Sequence, residues 1–341
     1  MRKVRFGLIG FGAWGQHHAR AISECPLAEL AAIVARSPDN QAEARRRHPT
    51  ATVVAEVSQL LAQPHIEVVD VVLPSHLHFA VAKEVLSAGR HLLLEKPMAL
   101  TLADCETLEQ MALTRQRLLA IGHEFRLSSL WGKVKELIDS GAIGEPLYAL
   151  IELWRNPYRT GSGGWRYDLQ RVGNWILEEP IHFFDLARWY LAGVGEPESV
   201  YARANSRQAG HPELQDNFSA LVNFPRGVYA VISQTLSAFE HHQVAKVTGT
   251  HGALWASWSG AMDRTFHPTF WLKHFDGQKV AEVPLAKASG EVYELAEEIA
   301  MMARAAQGEG KLCATAADGK WSVQLCLKAQ ASVDSGAVVR F

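Results

Sequence analysis

Two short stretches carry side chains suited to moving a hydride and a proton. Glu95-Lys96-Pro97 follows a compact apolar run, residues 91–94, at what would be the carboxyl edge of a parallel strand, where open α/β sheets place their ligands. A lysine there can donate to a substrate hydroxyl and stabilise the alkoxide that develops as hydride leaves. On the tripeptide alone, a lysine paired structurally with a neighbouring acid is the favoured reading. The second stretch is Glu178-Glu179-Pro180-Ile181-His182-Phe183-Phe184-Asp185, ending at Arg188. Pro180 suits the first position of a helix, which puts His182 in the first turn, near the positive dipole end that favours a neutral, proton-accepting imidazole. His182, Asp185 and Arg188 recur every three residues as one polar line, with Glu178 just upstream. A histidine satisfied by Asp185 fits that spacing as well as a general base does.

The partner for such chemistry is suggested by Gly10-Phe11-Gly12-Ala13-Trp14-Gly15, which closes a first apolar strand and opens a helix on small residues. In such a GxGxxG the first glycine makes the tight turn, the second lets the backbone approach a pyrophosphate, and the third packs helix on strand. The diphosphate then lies on the N–H groups at the helix start. Twenty residues beyond Gly15, where an acid would hold an adenosine ribose, the chain instead reads Ala35-Arg36-Ser37. Arginine beside serine suits a 2′-phosphate, so NADP is preferred, with NAD the alternative if Arg36 only stacks on the adenine. His76 and His78 lack a third ligand, and no metal site is expected.

The elements that must position these groups alternate strictly. Residues 4–10, 28–35, 67–73, 91–94 and 118–121 read as buried strands, with helices over 13–23, 38–48, 80–88 and 102–114 between them. The run 67–73 holds four valines, as in a strand buried on both faces. Such a rhythm predicts a doubly wound parallel sheet. It breaks after residue 121, past a helix over 128–140, into longer strands with period-two patterning at 148–154, 199–204, 218–224, 228–235 and 244–248. Flanking helices are expected at 180–191, 291–306 and 317–331. The expected fold is therefore α/β: an N-terminal Rossmann domain, 1–121, and a C-terminal α+β domain, 122–341, built on a large, mostly antiparallel sheet. Nine of the ten tryptophans lie at or beyond Trp131, so the second domain is the aromatic-rich one.

Composition closes off other classes. The chain has 341 residues, 48% hydrophobic and 21% charged, close to a soluble globular average. Lys plus Arg total 34 against 36 Asp plus Glu, a net charge of -2 that gives no field for a nucleic acid or an anionic membrane. No apolar stretch reaches the length of a membrane span, and the N-terminus runs into a strand instead of a signal-peptide core. Cys25, Cys105, Cys313 and Cys326 are dispersed, as expected of reduced thiols in a cytoplasmic protein.

Together, the glycine motif, Glu95-Lys96-Pro97 and the acid-x-x-x-His of Glu178 and His182 resemble the glucose-fructose oxidoreductase, inositol dehydrogenase and rhizopine-catabolism family, Gfo/Idh/MocA. The resemblance spans essentially the whole chain. Leu73-Pro74 followed by His78, Ala88-Gly89-Arg90-His91, Phe125-Arg126, Trp165-Arg166 and Gly249-Thr250-His251-Gly252 also match its pattern. It implies an NAD(P)-dependent oxidoreductase acting on a sugar, sugar derivative or cyclitol, with a C-terminal sheet that often builds a homodimer or homotetramer. By that likeness Lys96 polarises the substrate oxygen, His182 is the acid/base, and Pro74, His78, Glu95 and Lys96 border the cofactor. Arg126, Trp165, Arg166 and Glu178 border the substrate, and the faces of Trp154, Trp165 and Trp175 are candidates for packing on a pyranose. Glu178 stands where the family usually has aspartate and Pro180 where many members have glycine, so the pocket near His182 is expected to differ from that of the inositol dehydrogenases. Rival readings are a family-related glycosidase that uses NAD transiently, a non-catalytic nucleotide sensor, and a dehydrogenase of aromatic diols or a biliverdin-like tetrapyrrole.

Overall fold

The structure, a computed structural model, describes residues 2–208 and 210–341. Its first half runs β1 (Val4–Ile9), α1 (Ala13–Glu24), β2 (Ala28–Val34), α2 (Pro38–Arg47), β3 (Thr52–Val54), α3 (Val57–Leu61), β4 (Val68–Val71), α4 (His78–Ser87), β5 (His91–Leu94), α5 (Leu102–Arg115) and β6 (Leu119–Ile121). All six strands are parallel, in the order β3-β2-β1-β4-β5-β6. That is the doubly wound Rossmann order. Every residue of β4 is buried, as its valine run predicts, and Ser37 caps α2 by accepting from the Asn40 N–H, with Pro38 at the first helical position.

The second half contains α6 (Trp131–Asp139), β7 (Pro146–Arg155), α7 (Leu169–Val172), α8 (Trp175–Glu178), α9 (Pro180–Tyr190), β8 (Ser199–Asn205), β9 (Asn217–Asn223), β10 (Tyr229–Thr235), β11 (His241–Gly249), β12 (Ala253–Gly260), β13 (Thr269–Phe275), β14 (Val280–Glu282), α10 (Glu291–Ala306), α11 (Ala316–Ser335) and β15 (Val339–Arg340). Nine strands form one sheet, β14-β13-β12-β11-β7-β10-β9-β8-β15, antiparallel except for the β7·β10 pair. Helix α9 packs on β7 and β10. The sheet is the large, mostly antiparallel one expected, with four strands beyond the five whose patterning the sequence showed. Strands β13 and β14 lie on one flank; β14 is exposed throughout and Leu272 is the one fully buried residue of β13, so their hydrophobic alternation is weak.

The chain divides into two compact units, and not at a single cut after Ile121. One holds the described residues up to Glu124 together with Leu295–Val323; the other holds Phe125–Glu294 and Gln324–Phe341. Leu295, Ile299, Met302 and Ala303 of α10 join Val4, Phe6, Leu8 and Ile22 in the core of the first unit, which explains the return. Periodicity marks α10 as amphipathic but does not say which sheet it covers.

Candidate active-site residues

In the first unit the glycine loop divides its work. Gly10 sits at φ +105°, and a Cβ on it would come within 2.1 Å of the Val72 carbonyl oxygen; one on Gly15 would come within 2.0 Å of the Gly10 carbonyl. Both positions exclude any side chain. A Cβ on Gly12, by contrast, would meet nothing within 4 Å, and no side chain caps α1 at this position. An open glycine at an uncapped helix start is a cradle that fits a pyrophosphate. Phe11 turns inward, 2% exposed, against His48, while Ala13 stays exposed and Trp14 half-buried. Arg36 is exposed after β2, where no carboxylate stands, and the Ser37 hydroxyl is engaged as the α2 cap.

Lys96 follows β5 and is half-buried. Its backbone N–H donates to Glu95 Oε2 at 3.2 Å. The other oxygen of that carboxylate accepts from Trp14 Nε1 at 2.6 Å and lies 3.1 Å from His18 Nε2. On the far side of Lys96, the ring of His78 bridges two carbonyls, Nδ1 to Pro97 O at 2.6 Å and Nε2 to Leu73 O at 2.8 Å. His78 is fully buried, so it pins the loop that begins at half-buried Pro74 and offers no surface to a ligand.

In the second unit, Pro180 opens α9 and His182 lies buried in its first turn, its ring stacked on Phe125 at 4.7 Å between centroids. Glu178 ends α8 and accepts from Arg166 Nε. The Arg166 guanidinium also lies over the Trp165 ring at 4.8 Å. Burial pulls the Arg166 pKa down, but Glu178 outweighs it, so the guanidinium is held above its ordinary value. Arg126 grips Asp185 through both ends of its fork, Nε to Oδ2 at 2.8 Å and Nη2 to Oδ1 at 2.7 Å. The polar line of α9 is thereby spread over several partners: Asp185 takes Arg126, and Arg188 takes Glu196. Trp175 is core, edge-on to Tyr158 and Tyr167, and Trp154 stands on the exposed face of β7. Trp175, 1% exposed, therefore offers no face to a sugar, and Trp165, 8% exposed, is nearly as buried.

Two buried charge clusters escaped the sequence reading. In the second unit Arg155 reaches Glu179 at 3.3 Å and Asp263 at 3.4 Å. Burial raises Asp263, but Arg155 outweighs it and holds the carboxyl at about 2. His241, paired with Arg155 across β7 and β11, is pushed down to about 3 by burial and that guanidinium. In the first unit His18 Nδ1 meets Asp70 Oδ2 at 2.8 Å, and Glu298 of α10 is buried in the same electrostatic neighbourhood. Asp70 in the middle of a four-valine strand was the available signal, because a buried acid requires a partner.

A Rossmann sheet with a glycine cradle, followed by a large mostly antiparallel sheet bearing an acid and a histidine around one helix start, defines a class of two-unit dehydrogenase-like proteins. Residues 4–123 match the oxidoreductase family with an NAD-binding Rossmann fold, and residues 131–255 match the GFO/IDH/MocA C-terminal domain. The chain belongs to the Gfo/Idh/MocA oxidoreductase family. It is 30% identical to the uncharacterized oxidoreductase YdgJ of Escherichia coli (strain K12), over 70% of this chain and 66% of that protein. It is 26% identical to 1,5-anhydro-D-fructose reductase of Ensifer adhaerens, over 94% of this chain and 93% of the relative. The fold superposes on aldose-aldose oxidoreductase from Caulobacter crescentus with a TM-score of 0.85, covering 100% of both chains at 21% identity.

Proposed function

We propose that the protein transfers a hydride between a nicotinamide dinucleotide and a secondary alcohol or ketone of a sugar, sugar derivative or cyclitol. The observation that carries this reading is the shared edge of the parallel sheet: the open Gly12 cradle follows β1, and Lys96 follows β5, both at carboxyl ends. The anhydrofructose reductase likeness supports a carbohydrate substrate. When bound, the nicotinamide supplies the hydride acceptor or donor. Lys96 donates to the substrate oxygen and stabilises it as negative charge develops. His182 takes the hydroxyl proton, or returns it in the reducing direction. Glu178, its geometry fixed by Arg166, accepts from a neighbouring hydroxyl. Arg126 holds α9 through Asp185 and so acts on the substrate through His182. NADP is preferred over NAD, because exposed Arg36 has no acid beside it and can meet a 2′-phosphate. Four unbridged cysteines support a reducing, cytoplasmic setting.

The test is a panel of sugars and cyclitols with NAD and with NADP, read at the nicotinamide absorbance band. Net cofactor reduction or oxidation with a polyol or its ketone is the expected result. Turnover with the cofactor unchanged would favour the glycosidase reading, and binding with no turnover on any substrate the sensor reading. At least tenfold tighter NAD binding, about 1.4 kcal/mol, would overturn the role of Arg36 and leave the glycine cradle intact.

A further inference from the structure

We propose that His18 is a positioning residue for this reaction: with Trp14 it grips the Glu95 carboxylate, whose second oxygen holds the Lys96 backbone N–H, so that the helix opening at the glycine loop and the turn bearing the lysine are clasped together. The inference rests on the hydride-transfer reading above. One carboxylate takes three partners from two places in the chain: Trp14 at 2.6 Å and His18 at 3.1 Å from α1, and the Lys96 amide at 3.2 Å from the turn after β5. Trp14 belongs to the glycine motif itself, so the contact runs directly from the cofactor cradle to the residue before the lysine. His78 ties the Pro97 carbonyl on the other side. The peptide of Lys96 is thus anchored at both flanks.

His18 makes the clasp more than a surface-type bond. Both its ring nitrogens face carboxylates, Asp70 at 2.8 Å and Glu95 at 3.1 Å, and it is 1% exposed. Donating to both requires the imidazolium form. Burial alone would push its pKa down, yet Asp70 and Glu95 carry it up to about 10. Burial likewise opposes ionisation of Glu95, and His18, Lys96 and Trp14 reverse that, holding it at about 2. Glu298, the other acid in the neighbourhood, is raised well above its ordinary value by burial and by Glu95, which disfavours a competing negative charge there. A charged cluster sealed in a core is a poor way to gain stability, since apolar residues of similar volume commonly do as well or better. Its location, between the dinucleotide cradle and the lysine, gives it another use. Displacing a reacting group by about 1 Å costs on the order of 100-fold in rate.

The decisive experiment compares two amides. The side-chain nitrogen of His18→Gln falls near Nε2 and keeps a donor toward Glu95, whereas that of His18→Asn falls near Nδ1 and faces Asp70. The clasp predicts that the Asn variant loses roughly 30-fold or more in kcat with KM and dinucleotide affinity within about threefold, and that the Gln variant stays within about fivefold. Trp14→Phe, which keeps an aromatic ring and removes the indole N–H donor, should fall between them and serves if either His18 variant does not fold. Equal losses in Gln and Asn that track melting temperature, or an Asn variant with normal kcat, would overturn the proposal. Amide hydrogen exchange at Lys96 gives a readout independent of turnover. Faster exchange in the Asn than in the Gln variant supports the clasp even if no alcohol or ketone proves to be a substrate, and equal exchange sinks it.

Discussion

Gly12 and Gly15 show how one motif combines two unrelated demands, one of a ligand and one of packing. Because Gly12 opens onto empty space, Gly12→Ala should fold with a melting temperature within about 2 °C of the parent, yet lose roughly tenfold or more in dinucleotide affinity by occupying the cradle. Gly15→Ala, whose Cβ would lie 2.0 Å from a backbone oxygen, should melt clearly lower; differential scanning calorimetry and a cofactor titration separate the two. For the reacting groups, Lys96→Ala and His182→Ala should each lower kcat by roughly 100-fold with dinucleotide affinity little changed. Glu178→Gln should act mainly on KM, by weakening both its hold on Arg166 and its acceptance from substrate. A His182→Ala variant with normal turnover at every pH would make that histidine structural.

Among the elements, α1 and β4 carry the protein's clearest pH dependence. The folded pKa of His18 is raised from 6.5 to about 10, so its pairing with Asp70 and Glu95 contributes fully below about pH 6.5 and is lost as pH rises through 10. Melting temperature should therefore fall between pH 7 and 10, and His18→Gln should flatten that slope. The β7 cluster has the opposite sign: Asp263 is depressed from 3.8 to about 2, so its contribution is present above about pH 4 and disappears as pH drops toward 2. The helices and strands of the parallel sheet were largely legible in the sequence, because strands buried on both faces and capped helices leave strong local patterns. Strand β3 and helix α3, three and five residues long, were too short to register, and β14 is exposed along its length. Of the candidate site, the loop glycines, Lys96, Glu178 and His182 could be picked out by type and spacing. The commitment of Arg126 to Asp185, 59 residues away, and of Glu95 to His18, 77 away, could not, since side-chain partners across such separations are set by tertiary packing.

For the whole molecule, the outward face of the nine-stranded sheet is the feature to explain. Trp154, Leu221, Tyr229 and Trp255 are all more than a third exposed on alternate positions of neighbouring strands. Large apolar side chains exposed together on one sheet face are characteristic of an interaction surface. The expected outcome of sedimentation equilibrium at micromolar concentration is a dimer or tetramer, and Trp255→Lys combined with Tyr229→Lys should shift it toward monomer. A parent protein that sediments as a clean monomer of 37.6 kDa would refute the assignment.

The return of α10 to the first unit also sets a timetable for synthesis. Val4, Phe6 and Leu8 emerge early from the ribosome, but four of the side chains that cover their core, Leu295, Ile299, Met302 and Ala303, are made only after the whole of Phe125–Glu294. At roughly 5–20 residues per second, some 170 intervening residues take on the order of 10–30 s. Through that interval the nascent parallel sheet exposes an unfinished apolar face, while the second sheet is assembled as an insertion within it. A chain released after Glu124 never receives its cover and should aggregate or recruit holdase chaperones, whereas supplying residues 291–323 in trans should restore part of its solubility.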